Sequence, residues 1–372
     1  MSRLRVGVVG LGSAGYTLHL PALAGMDSVE IVGACDPDPV QRQKVADRFK
    51  VPTFDDFSRM LGASAPDVVA IATPPHTHCE YTLQSLAAGA HVLCEKPFVC
   101  SLDEADRIIA AARTAGRSVA LNHDFRHMPV FRAVIDAAKS QDVVFAQVWQ
   151  LMDMPPGVEP GWRGALVQRT LFEAGVHLVD FLMALFAEKP VAVFATTATG
   201  GVSREATDAV VLATLEFSRG RLAHIVQNRL SKGERQYFEV RADTAAASLR
   251  ASFGGRARVS AGLHRTTRPH LRVDYGVSGV AWSEKGSQRT FLARNPKEPG
   301  MLATRTLMEK TFAAFKDGSE APASAQCGRD VLEVIVACYH SATTGERVVL
   351  DSQAAHALSA VVLGSVPRGA AT

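Results

Sequence analysis

The segment LFEAGVHLVD, residues 171 to 180, sets Glu173, His177 and Asp180 at intervals of four and three inside an otherwise apolar run. Read as an α-helix, that spacing puts Glu173 and His177 on adjacent turns of one face, with Asp180 one turn further. A neutral imidazole can remove a proton from a hydroxyl near neutral pH, and a nearby carboxylate fixes the ring and stabilises its protonated form. The plain alternative is a core histidine satisfied by a carboxylate partner. Lys96, in HVLCEKPF, is the second candidate. On a loop it is an ordinary solvated lysine; at a strand end beside a cofactor crevice, its ammonium favours a developing alkoxide.

These groups need a scaffold, and the N-terminal half reads as one. Leu4 to Val9 is an apolar strand followed at once by GLGSAG, with Gly10, Gly12 and Gly15 in the G-x-G-x-x-G pattern. Gly10 permits the tight turn, Gly12 leaves room for a pyrophosphate, and Gly15 lets the next helix approach the sheet. The helix start at Ser13 and Ala14 offers N–H groups to phosphates. A second strand, VEIVGACD, ends at Asp36, about 20 residues beyond the glycines, where a carboxylate accepts from the adenosine ribose and repels a 2′-phosphate. NAD is therefore expected over NADP, although Arg42 lies close enough in sequence to serve a phosphate.

Strand and helix patterns continue to alternate. DVVAIAT, HVLCE and SVALNHDF read as further buried parallel strands. Ligands bind beyond the carboxyl ends of such strands, so Thr73, Pro74, His76, Lys96 and Asn122 are expected to converge. After PVFRAVIDAAKS, helical from Pro129, come VVFAQVWQL, a Pro/Gly-rich stretch DMPPGVEPGWRG, and the helix with the opening segment. VAVFATTAT, DAVVLATLEF, RLAHIVQNRL and YFEVRAD then suggest a large, mostly antiparallel sheet. The expected fold class is α/β, a Rossmann dinucleotide-binding domain over residues 1–125 followed by an α+β domain over 126–372.

Composition narrows the function classes. The chain has 372 residues, 47% of them hydrophobic, and a net charge of only +3, too small an excess to imply a nucleic-acid partner. Arginines between Arg229 and Arg272 are interleaved with Glu234, Glu239 and Asp243, as on a solvated or ligand-facing sheet. The six cysteines are dispersed in apolar segments and read as buried thiols, favouring a reducing, cytoplasmic setting. No run of roughly 20 apolar residues predicts a membrane span. His76, His78, Cys79 and Cys94 form no closed zinc motif, so no metal is expected.

GLGSAG, ACD, ATPPHTH and CEKPF, then WRG, EAGVHLVD and LEVIVACYHSATTGERVVL, occur in an order that resembles the glucose-fructose oxidoreductase and inositol dehydrogenase (Gfo/Idh/MocA) family across nearly the whole chain. The resemblance implies a nucleotide-binding domain that also involves His78 and Glu95, a cis bond before Pro97, and reactive chemistry at Lys96, Glu173 and His177. His177 would be the general base, Glu173 its orienter, and Asp180 a supporting or substrate-contacting residue. His123, Arg126, Trp162 and Arg163 would contact the substrate. Glu173 stands where many relatives have Asp, and ALVQRTLF replaces a common glycine cluster. The implied activity is NAD-dependent oxidation of a secondary alcohol of a sugar, cyclitol or related polyol to the ketone, in a homodimer or homotetramer. A keto-sugar reductase, a retained-cofactor hydride shuttle and a non-catalytic nucleotide-binding regulator are the other readings.

Overall fold

A computed structural model of the protein describes residues 3–155, 161–164, 166–201, 207–232, 236–254, 257–262, 270–275 and 279–351, together with 358, 361 and 363. Residues 156–160 of the Pro/Gly-rich stretch, and Glu234, lie outside the described residues.

Six parallel strands open the chain: β1 (Leu4–Val9), β2 (Val29–Cys35), β3 (Thr53–Phe54), β4 (Val68–Ile71), β5 (His91–Cys94) and β6 (Val119–Leu121). Their spatial order is β3-β2-β1-β4-β5-β6. The order reverses between β1 and β4, and a crevice opens beyond the carboxyl ends of strands at such a reversal. Val68 to Ile71 is buried throughout, as a strand covered by helices on both faces must be.

The remaining strands are β7 (Val143–Met152), β8 (Ala192–Ala198), β9 (Val210–Glu216), β10 (Leu222–Asn228), β11 (Gln236–Thr244), β12 (Ser248–Gly254), β13 (Ala257–Gly262), β14 (His270–Tyr275), β15 (Val280–Lys285), β16 (Gln288–Arg294) and β17 (Val348–Val349). All but β13 and β14, which pair with each other, join one sheet in the order β16-β15-β12-β11-β7-β10-β9-β8-β17. Its β7–β10 pair is parallel; the other pairs are antiparallel. The class is thus as expected, a parallel Rossmann-like sheet followed by a large, mostly antiparallel one. Period-2 alternation buries Val211, Ala213 and Leu215 on β9 while leaving Leu212 exposed.

The late helices cross back to the first sheet. Met308, Phe312 and Phe315, on the helix Pro299–Asp317, join Val6, Val8, Leu11, Leu20 and Leu23 in one buried cluster. Leu121 N–H donates to the Ala323 carbonyl at 2.8 Å, and Ala120 bridges to Ser324. A boundary at residue 125 therefore assigns part of the first sheet's cover to the second half of the chain.

Candidate active site

The cleft beyond β1 and β4 has a volume of about 780 Å³ and is lined by Gly10, Gly12, Ser13, Ala14 and Asp36 on one side. Thr73, Pro74, Glu95, Lys96, Trp162 and Arg163 continue the lining. Gly10 has φ +86°, and a Cβ there would stand 2.6 Å from the Ala72 carbonyl group. A Cβ on Gly15 would stand 2.0 Å from the Gly10 oxygen, so both positions require glycine. Gly12 has open space where a side chain would project. That space, beside the chain turn at Ser13, is what a pyrophosphate needs.

Asp36 anchors this cradle. Its Oδ2 accepts from Leu11 N–H at 2.8 Å and its Oδ1 from Asp38 N–H at 2.9 Å. Each carboxylate oxygen retains a lone pair for a ribose hydroxyl. Arg42 donates from Nη1 to the carbonyls of Asp36 and Pro37, both at 2.8 Å. The residues present therefore fit a dinucleotide.

Two expected cofactor contacts fall elsewhere. His76 sits exposed at the start of the helix Pro75–Ala87, outside the cleft lining. His78, one turn into that helix, is fully buried, with Nε2 2.7 Å from the Thr73 carbonyl and Nδ1 near those of Pro97 (3.0 Å) and Phe98 (2.9 Å). Burial pushes its pKa down, against those carbonyls. The ring ties the loop after β4 to the loop after β5. Thr77, Tyr81 and Gln84 face the cleft instead, at helical spacing that the sequence displays and that the nearby histidines obscured.

Glu95 and Lys96 stand side by side at the end of β5, followed by a cis Lys96–Pro97 bond. Glu95 Oε1 lies 2.7 Å from His19 Nε2 and accepts from Asn122 Nδ2 at 2.6 Å, while Oε2 accepts from Lys96 N–H at 3.1 Å. Burial would raise its pKa, but the His19 contact, the Lys96 charge and the Asn122 donor bring it to about 2. Asn122, 1% exposed, thus supports Glu95 from beneath rather than lining the cleft. Lys96 reaches across the cleft, its Nζ 3.3 Å from the Glu173 carbonyl oxygen.

The opening segment departs from the expected helical register. Residues Thr170–Gly175 form a π-helical turn that passes into the α-helix Val176–Phe186. The wider turn breaks the four-residue alignment assumed for Glu173 and His177. Glu173 instead accepts from Arg163 Nε at 3.3 Å and from Arg229 Nη2 on the chain following β10. Burial opposes its charge, yet Lys96, Arg229 and Arg163 hold its pKa at about 2. Glu173 is therefore not the carboxylate beside His177. At Gly175 a Cβ would lie 2.6 Å from Gln227 Oε1, so this turn packs directly on β10.

Asp124 takes the place expected for Glu173. His177 Nδ1 lies 3.9 Å from Asp124 Oδ1, and the imidazole stacks on Phe125 with ring centroids 4.6 Å apart. Burial first, then the Lys96 and His123 charges, lower the His177 pKa well below its ordinary value. Asp124 is pushed up to about 7 by burial and by Glu95. Thr304 Oγ1 donates to its other oxygen at 3.4 Å. Asp124 was visible in SVALNHDF, but nothing in that strand end distinguished it from its polar neighbours. Arg229, fully buried, lies 56 residues from the glutamate it serves.

Asp180 lies deeper. Its Oδ2 is 3.4 Å from Arg126 Nε and its Oδ1 3.9 Å from His123 Nδ1. His123 is 1% exposed, so it and Arg126 buttress the helix from behind instead of lining the substrate entrance. Trp162 and Arg163 do line the cleft, with the Arg163 guanidinium 4.5 Å from the Trp162 ring centroid. Among the described residues, no cluster of three or more His, Cys, Asp or Glu is arranged to hold a metal. The six cysteines are free, and no described helix is long and apolar enough to cross a membrane.

The sheet order, glycine turn and cleft define a dinucleotide-binding oxidoreductase fold carrying a second, sheet-based domain. Residues 4–123 match the oxidoreductase family with an NAD-binding Rossmann fold, and residues 130–248 match the GFO/IDH/MocA C-terminal domain; the chain belongs to this family. D-glucoside 3-dehydrogenase of Escherichia coli (strain K12) is 31% identical over 196 residues, 49% of this chain and 54% of the relative. The chain spans about half the length of that relative and of 1,5-anhydro-D-fructose reductase of Ensifer adhaerens, at 54% and 56%. D-apiose dehydrogenase of Paraburkholderia graminis is 25% identical over 347 residues, covering 91% of this chain and 88% of its own. The crystal structure of GenD2 from gentamicin A biosynthesis, in complex with NAD, has the same fold, with a TM-score of 0.77 at 22% identity over 95% of this chain and 97% of that one.

Proposed function

We propose that the protein is an NAD-dependent oxidoreductase that oxidises a secondary alcohol of a sugar, cyclitol or related polyol to the ketone. The observation that carries this reading is the position of Lys96: it lines the cleft begun by the glycine turn, and its ammonium reaches the helical segment that bears His177. Gly12, Ser13, Ala14 and Asp36 would hold the pyrophosphate and ribose, and Thr73 and Pro74 would border the nicotinamide side. When bound, NAD supplies the hydride acceptor.

The chain's own groups manage the proton and the charge. The depressed pKa of His177 keeps the ring neutral and ready to accept the hydroxyl proton. Lys96 holds the substrate oxygen and favours its alkoxide character. Asp124, ionised above about pH 7, offsets the positive charge that His177 acquires. The reverse reaction, reduction of a keto sugar, uses protonated His177 as the acid.

Residues 1–125 act in this reading as the nucleotide-binding unit and 126–372 as the unit for substrate and self-association. Phe194, Leu212, Leu222 and Phe291 remain exposed on strands of the large sheet, which supports a homodimer or homotetramer built over it. Free cysteines suit a reducing cytoplasm. A panel of cyclitols, hexoses, aldonates and amino sugars, assayed with NAD and NADP by nucleotide absorbance and product mass, tests the function. NADH and a product two hydrogens lighter are expected; absence of both across the panel, with NAD bound, overturns it.

A further inference from the structure

His177 is held by an aromatic ring and not by a hydrogen bond. Among the described residues its buried Nδ1 has no hydrogen-bond partner, and Asp124, the carboxylate beside it, stands 3.9 Å away. Glu173, four residues back, is turned to Arg163 and Arg229. The imidazole lies instead on Phe125, in the short turn Phe125–His127 that follows β6, with ring centroids 4.6 Å apart and planes inclined by 29°. Phe125 is itself enclosed. Phe131, in the first turn of the helix Pro129–Ala138, stacks on it at 5.3 Å, and Phe238 of β11 packs at right angles to it at 4.8 Å. With only 6% of its surface exposed, a ring packed in this way keeps its plane and passes that plane to the imidazole.

The charge that His177 acquires on taking a proton is opposed by burial, by Lys96 and by His123. Asp124 favours it from one side. A cation over an aromatic face, within about 6 Å of the ring centroid, is attracted by the ring quadrupole, the more so where water is excluded. Resting on the oxidoreductase reading above, we propose that Phe125 is the positioning residue for His177: its face fixes the plane of the neutral imidazole and stabilises the imidazolium formed when the substrate hydroxyl gives up its proton. The O–H bond breaks, an N–H bond forms on His177, and the hydride passes to NAD as before. Phe125 thus does part of what was expected of Glu173.

Replacing Phe125 with mono-, di- and trifluorinated phenylalanine keeps its shape while draining electron density from the ring face. Single-turnover NADH formation, with a substrate found in the panel above, should slow at each step, to about 5-fold with three fluorines, while NAD affinity stays within about 2-fold. Phe125→Leu, which keeps an apolar side chain without a π face, should be slower by about 10-fold. The same fluorinated series at Phe186, buried against Phe217 with centroids 4.0 Å apart at the far end of the helix from His177, should leave the rate unchanged. A rate independent of fluorination at Phe125 overturns the proposal and leaves the residue a packing role only, even if Phe125→Leu is slow or fails to fold. An equal fall in the Phe186 series overturns it as well. If no substrate of the panel is turned over, the oxidoreductase reading fails and this proposal with it; turnover with a flat series removes the proposal alone.

Discussion

Glu95, which lines the cleft, and Glu173, whose carbonyl meets Lys96 Nζ, are both buried from most solvent and are both held at a pKa of about 2, yet by opposite means. Glu95 is gripped from its own sheet domain by His19, Asn122 and the Lys96 amide. Glu173 is held by the long arms of Arg163 and Arg229, drawn from a loop and from the chain after β10. Short donors on a parallel sheet fix a carboxylate in one place. Guanidinium arms hold a carboxylate only where a loop and the end of a strand in the second sheet both reach it.

Removing one charge at a time has its larger effect on the arginine-held glutamate. Glu173→Gln leaves Arg229 buried without its counter-charge and should cost about 3 kcal/mol or more, whereas Glu95→Gln keeps amide hydrogen bonding and should cost about 2 kcal/mol, read from urea midpoints. Both folded pKa values lie below the ordinary 4.5, so each stabilisation is present above that pH and is lost as pH falls toward 2. Each variant should accordingly flatten the acid limb of stability against pH; an unchanged limb would contradict the assignment of charge.

At the proposed reacting groups, Lys96→Ala and His177→Ala should each slow hydride transfer by about 100-fold or more with NAD affinity retained. Single-turnover absorbance is the appropriate measurement, because product release can mask chemistry. Near-normal transfer in both folded variants would remove these residues from the mechanism.

A smaller effect is expected at Asp124. Its Asn variant should lower oxidation by about 10-fold and remove a rate increase centred near pH 7, since ionised Asp124 no longer supports protonated His177. A pH profile identical to that of the unaltered protein would make Asp124 structural only. Smallest is Asp36→Ala, expected to narrow the preference for NAD over NADP by about 5-fold through loss of ribose acceptance and phosphate repulsion. Equal affinity for both nucleotides before the substitution would refute that basis for choice.

What could be read ahead of the structure follows the range of the interactions. The glycine turn, Asp36 and the strand ends carrying Thr73 and Lys96 are local patterns, and they stand together in the cleft. Glu173 turns to Arg163 and Arg229 and not to His177 because a π-helical turn, packed where Gly175 meets Gln227, changes the register, and residue spacing alone does not announce it. His78 has the residue type of a ligand contact but the burial of a brace. Arg229 gains its partner only when the π-helical turn packs on β10, and Asp124 its histidine only when the second half of the chain folds against the end of β6, so nothing near them in sequence marks them out.

The helix Pro299–Asp317 has a consequence for how the molecule is made. Leu20 and Leu23 leave the ribosome almost 300 residues ahead of Met308, Phe312 and Phe315, which cover them. The nascent nucleotide half must therefore wait, with an oily flank open to chaperones or to other unfinished chains, until the helix Pro299–Asp317 has also left the ribosome.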